Sequence, residues 1–327
     1  MKRSVVLIIM LVVLIGIYLL VQSRKQNVVS ANRPFVVVDS AAVSKLYVES
    51  ATDTVQMEKQ SDKWMVTKPI NYPAADKTVA MALGRFREME KLSLISSKPD
   101  RQAEFQVGAA DGAKVVVTQG GKSVAFYVGK SGSTGGTSFA RLDGSNDIWE
   151  VSGVYAPTFK RKAKDWRDKT ITELEAANFR KFTISYPSYG ETFTVTLEDT
   201  TWRVDDGKRK YDAQKDIVGR VTNLLSRMST IDFDDSLGPS YFDVPRCHFM
   251  AEMVDGSTVD LRILPKDAEG NQYYLRKAGA AADFVIYKST AEVLMKHAGD
   301  FLHESGTQQP GTASPKKPKD LKAAKKA

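Results

Sequence analysis

A handful of residues have types and spacings that could do chemistry. Gly129-Lys130-Ser131, followed by Gly132, Gly135 and Gly136, has the composition of a phosphate-binding loop. Such a loop needs a glycine five positions before the Gly-Lys-Ser glycine, and position 124 is Val. The next segment also reads as a strand where a helix is needed, so a flexible hairpin loop is expected. His248, His297 and His303 are the histidines of the chain, and none stands at metal-ligand spacing from another His, Cys or carboxylate. Cys247 adjoins His248 on an expected strand, which points the two side chains to opposite faces and favours a buried structural thiol over a Cys-His pair. Asp76 and Asp212 could pose as a carboxylate pair, but each stands where a helix needs an N-cap.

The remaining candidates are aromatic and cationic. Trp64, Trp202 and Trp166 recur at equivalent positions among apolar neighbours, which reads as core packing rather than sugar stacking. Trp149 lies on an alternating strand near a loop-rich edge. Arg141 and Arg276 recur on equivalent strands, and Arg167 follows Trp166. A repeated arginine can grip a partner's carboxylate or phosphate, or pair with an acid inside its own unit. Trp149, Arg141 and Arg276 are therefore the candidate partner contacts. No catalytic constellation, cofactor motif or metal-ligand set emerges, so a non-enzymatic chain is expected.

The elements that position these residues come twice. Lys63-Trp64-Met65-Val66 reads as a strand, Pro69 and Pro73 bracket a crossing, and an amphipathic helix follows Asp76 with Val79, Leu83, Phe86 and Met89 on one stripe. Trp202 stands 138 positions after Trp64, and Val79, Leu83 and Phe86 map at that offset onto Ile217, Val221 and Leu224. Alternating runs Val43–Ser50 and Thr54–Lys59 form a hairpin before Trp64, and Phe182–Tyr186 and Thr192–Leu197 precede Trp202. Further strands follow each helix, and short closing helices are expected over 154–165 and 291–303. The expected fold class is α+β: two tandem repeats of antiparallel strands with an amphipathic helix and a short closing helix, after one N-terminal transmembrane helix.

The totals fix the periphery. The chain has 327 residues and a formal net charge of +8. Residues 1–33 carry five basic and no acidic side chains, and residues 306–327 carry six lysines against one aspartate. The body is thus close to neutral, which excludes the basic face that nucleic-acid binding requires. Val5 to Val21 is apolar throughout, and seventeen helical residues rise about 26 Å, enough with flanks to cross a hydrocarbon core of about 30 Å. Gln22-Ser23-Arg24-Lys25 is a poor cleavage neighbourhood, so the run reads as a retained anchor. Expected boundaries are a cytoplasmic tail over 1–4, an anchor over 5–22, a linker over 23–41, repeats over 42–170 and 171–305, and a Lys-rich tail over 306–327. The short charged N-terminus stays inside, which places the bulk of the chain on the periplasmic side of the cytoplasmic membrane.

The order of motifs resembles the uncharacterised domain-of-unknown-function 4340 family. It is carried by Trp64, Pro69, Ala75-Asp76, Phe105 to Gly108, Val128-Gly129, Phe139-Ala140-Arg141 and Trp166-Arg167-Asp168-Lys169, and again by Trp202, Tyr241 to Pro245 and Tyr274-Leu275-Arg276. Lys208-Arg209-Lys210-Tyr211 departs from the proline-rich crossing, and Leu264-Pro265 replaces Val-Gly. The resemblance covers about residues 40 to 303 and implies no established activity. It implies a membrane-anchored protein encoded beside components of ABC-2-type transporters and gliding-motility-like auxiliaries. The expected function is a non-enzymatic extracytoplasmic scaffold subunit of an ABC-type envelope transport assembly, with the membrane and an ABC-2-type permease as partners and no small-molecule substrate. The alternative is a binding module for an envelope polymer or lipid.

Overall fold

The computed structural model describes residues 10–18 and 33–302. The tail 306–327, His303 and much of the 5–22 run lie outside the described residues. Strands dominate. One sheet runs, in spatial order, Arg33–Pro34, Glu90–Ser96, Ile148–Ser152, Thr137–Leu142, Lys122–Ser131, Ala113–Gln119, Val43–Glu49, Thr54–Gln60, Lys63–Lys68 and Tyr72–Pro73. A second runs Asp232–Asp234, Asp283–Tyr287, Gln272–Lys277, Thr258–Pro265, Cys247–Met253, Phe179–Tyr186, Glu191–Glu198, Thr201–Asp205 and Lys210–Asp212, and a third is the pair Thr170–Glu173 and Arg227–Ser229. From Glu90–Ser96 in the first and Asp232–Asp234 in the second, corresponding strands follow in the same spatial order. One connectivity is therefore written twice. Helix α1 (Asp76–Glu88) and helix α2 (Lys215–Ser226) stand at the same place in each copy, and α3 (Lys288–Leu294) comes near the end.

The expectation of an α+β fold behind an N-terminal transmembrane helix is corrected. The architecture is mostly antiparallel sheet, and among the described residues no helix is long and apolar enough to cross a membrane. Both expected closing helices also shrink. The first is two 3-10 turns, Ala156–Thr158 and Ala163–Trp166, because Pro157 removes a helical donor; the second is α3 and a 3-10 turn, Ala298–Phe301. Neither aspartate caps its helix. Ala75 precedes α1, whose first residue is Asp76, while Gln214 precedes α2 and Asp212 ends a strand. At the first turn Asp76 still complements the helix dipole.

The chain divides into two compact units. Of the described residues, the first holds those to Thr172 together with Met228–Pro239 and Tyr274–Ile286; the second holds Glu173–Arg227, Ser240–Tyr273 and those from Tyr287 to Leu302. In the first unit Val79, Leu83, Phe86 and Met89 are buried, as their spacing requires. Phe86 stacks on Phe159 at 5.8 Å and meets Phe126 edge-on at 5.9 Å, and Phe35 meets Phe126 from another side at 5.9 Å. Phe35, Val36 and Val38 fall within the 23–41 segment and are buried in this core. In the second unit α2 buries Val218, Val221, Thr222 and Leu225.

The tryptophans at the head of each copy differ. Trp64 is buried, whereas Trp202 is half-buried and lies flat on Phe182 at 5.2 Å. Trp202→Ala is therefore expected to lower stability by roughly 1–2 kcal/mol, from partial burial and one stacked pair. Trp64→Ala gives the larger loss, and denaturation midpoints of the two variants check the order.

Candidate functional site

Arg141 and Arg276 occupy equivalent strand positions, and both fasten a loop. Arg141 is buried; its Nε donates to Val107 O at 3.0 Å and its Nη1 to Leu142 O and Ser145 O at 3.2 and 2.7 Å. Its guanidinium also lies 4.5 Å from the Tyr127 ring centre. Arg276 makes a two-pronged pair with Asp283, Nε to Oδ1 at 2.7 Å and Nη2 to Oδ2 at 2.6 Å. Its remaining donors reach Pro239 O at 2.7 Å and Gly238 O at 3.2 Å. Trp149 is buried beside Leu94, its cross-strand neighbour, with Lys91 Nζ 4.8 Å from its ring centre.

Arg276 borders a cleft in the first unit, of about 380 Å³, lined also by Ile70, Asp234, Asp235, Leu237 and Asp283. The strand Asp232–Asp234 and the turn beyond it bring in the first two carboxylates. Asp235 receives both arms of Arg167, at 2.9 and 2.6 Å. Arg167 is only 2% exposed and sits 5.2 Å from the Phe233 ring centre and 5.9 Å from that of Tyr72. Asp234 accepts from Tyr274 Oη at 3.1 Å and from Ser236 Oγ at 2.6 Å. Burial, reinforced by Asp168, pushes the Tyr72 hydroxyl up to about 12. The carboxylates facing the cleft thus meet donors of the same unit. Sequence reading singled out Arg276 and Arg167 but not Asp234, Asp235 or Asp283, because acids scattered across two segments show no motif.

The glycine-rich loop holds an anion, and that anion is the chain's own. Glu150 Oε1 accepts from Ser133 N at 2.9 Å, Ser133 Oγ at 2.7 Å and Thr137 Oγ1 at 2.9 Å. Burial alone would raise the Glu150 carboxyl, but the hydrogen bonds from Ser133 and Thr137 prevail and hold it below the usual range. A Cβ at Gly132 would lie 2.6 Å from that oxygen, so the close approach demands glycine.

Cys247 and His248 turn to opposite sides of their strand. Cys247 is buried, and burial pushes its thiol up to about 12, so it is a poor nucleophile. His248 pairs with Asp260 at 2.9 Å. His297 pairs with Glu191 at 2.8 Å and stacks on Tyr186 at 4.5 Å. Among the described residues no group of three or more His, Cys, Asp or Glu side chains could hold a metal ion.

A family profile described as a domain of unknown function (DUF4340) matches residues 64–245. The chain belongs to this family. The DUF4340 match begins at Trp64, the strand that opens the motif order, and ends at Pro245. It includes Arg141, Arg167 and Asp235, and stops short of Arg276 and Asp283. No curated protein and no solved structure matches the chain.

Proposed function

We propose that this DUF4340 chain is a non-enzymatic scaffold subunit of an ABC-type envelope transport assembly, with its repeats on the outer side of the cytoplasmic membrane. The observation that carries a non-enzymatic reading is the condition of the cleft. Asp283, Asp235 and Asp234 are engaged by Arg276, Arg167, and Tyr274 with Ser236, in an arrangement that fixes loops rather than presenting a base or nucleophile to a substrate. The apolar run from Val5 to Val21, flanked by basic residues, supports attachment at the membrane. The transport partner rests on the motif order, not on the cleft.

Affinity purification of the full-length chain from mild detergent is the test. The expected outcome is co-purification of an ATPase and its permease in near-stoichiometric amounts. Retention on isolated cell wall with neither transporter component present would overturn this reading and favour the polymer-binding alternative.

A further inference from the structure

Within the first compact unit, one edge strand is docked by its side chains. Phe233, on Asp232–Asp234, packs on Tyr72 with ring centres 5.5 Å apart and an interplanar angle of 73°. Two ion pairs flank the rings, Arg167 with Asp235 and Lys164 with Asp232, the latter at 2.5 Å. Because one connectivity is written twice, both halves of this contact have counterparts elsewhere in the chain. Phe233 pairs across its sheet with Phe284, and Leu94 pairs in the same way with Trp149. Tyr72 pairs with Val66, and Tyr211 pairs with Val204. The turn Ala163–Trp166 leads into Arg167, and the turn Ala298–Phe301 leads into Leu302.

The counterparts are open where the originals are closed. Phe233 is 6% exposed and Leu94 is 40% exposed; Arg167 is 2% exposed and Leu302 is 38% exposed. Ile95, beside Leu94, is also exposed. The chemistry of the two open surfaces has changed in concert. Where the docked pair sets Arg167 and Lys164 against Asp235 and Asp232, the open surfaces offer Leu302 and Gly299 against Ser97 and Ser93. At these four positions the charges are gone and an apolar side chain stands at the centre of each surface; the charges that remain beside them are of opposite sign, Asp147 bonded to Ser97 Oγ at 2.6 Å on one and Arg209 5.9 Å from the Tyr211 ring centre on the other. The pairing of Glu90–Ser96 with Ile148–Ser152 carries two register shifts, and Arg33–Pro34 is already bonded to Lys91 and Glu90 on its outer side, so side-chain docking fits this edge better than strand addition.

We propose that this chain self-associates head to tail, with Leu94 and Ile95 of one copy seated on the Tyr211 and Leu302 surface of a second copy. The contact is heterologous: each copy brings one half of each kind, and successive copies extend a chain or close a ring. It is independent of the transport reading, which would stand for a monomer too.

Cysteine cross-linking of the full-length chain in detergent tests it, since Cys247 is buried and contributes no background. Leu94→Cys and Leu302→Cys are made singly and together, then oxidised with copper phenanthroline. The double variant should give a ladder of dimer, trimer and higher species. A mixture of the two single variants should give dimers only, and each single variant alone should stay uncross-linked. Leu94→Glu, at an exposed position, should abolish the oligomer in sedimentation while leaving the melting curve unchanged. A wild-type chain that sediments as a monomer, or dimers formed by Leu94→Cys alone, would overturn the proposal.

Discussion

Asp235→Ala is expected to destabilise the first compact unit by about 3 kcal/mol, at the low end of the range for stripping a buried charge of its partner. The asymmetry of the pair sets this value. Asp235 is 41% exposed and would tolerate loss of its partner, whereas Arg167 is 2% exposed and would be left charged in a dry site. The Tyr72 and Phe233 rings beside it offer only a weak replacement for a carboxylate. Arg167→Met with Asp235→Leu should recover most of the loss, because that double change removes the stranded charge together with its partner. Denaturant midpoints of the wild type, Arg167→Met, Asp235→Leu and the double variant give the coupling energy. Additive effects would show that the two groups do not share a site.

Phe86→Ala is expected to cost about 3–5 kcal/mol, the range for truncating a buried large aromatic in a core that cannot collapse around the void. Collapse is hindered here because Phe86 is held between two other rings, stacked on Phe159 and edge-on to Phe126, which itself meets Phe35. A net stability of about 5–15 kcal/mol is ordinary for a domain, so this one change approaches its limit. Phe86→Leu keeps most of the volume and should cost less than half as much. Thermal and urea unfolding of the two variants check the ratio, and equal losses would show that ring geometry, not volume, sets the cost.

The repeat was legible because its marks are local: a tryptophan-led strand, a crossing and an amphipathic helix within about 25 residues. The strand Glu90–Ser96 was not. It begins directly after α1, and its two register shifts break the alternation of period two by which a strand announces itself. The assignment of Met228–Pro239 and Tyr274–Ile286 to the first unit was equally hidden, since Arg167 with Asp235 and Lys164 with Asp232 join residues 68 positions apart. Of the candidate site, the repeated arginines could be found by offset alone. Their partners could not, because backbone carbonyls such as Val107 O, Gly238 O and Pro239 O leave no signature in residue type. The cap assignments failed for a related reason: Asp76 is the first residue of its helix and Asp212 lies three before the start of the other, and the side-chain identity that suggests a cap does not fix the backbone torsions that make one.

The burial of Phe35, Val36 and Val38 has a mechanical consequence. Phe35 N donates to Met89 O at 2.8 Å, Gln119 Nε2 donates to Val37 O at 3.2 Å, and Asp39 N donates to Gln119 Oε1 at 2.7 Å. Tension arriving at Arg33 therefore meets a stitched seam rather than a slack tether. Arg33–Pro34 is bonded to Lys91 and Glu90 at the sheet edge, and the Phe35 ring is keyed against Phe126. A pull would be borne at once by the edge strand, by the end of α1 and by the strand that carries Gln119.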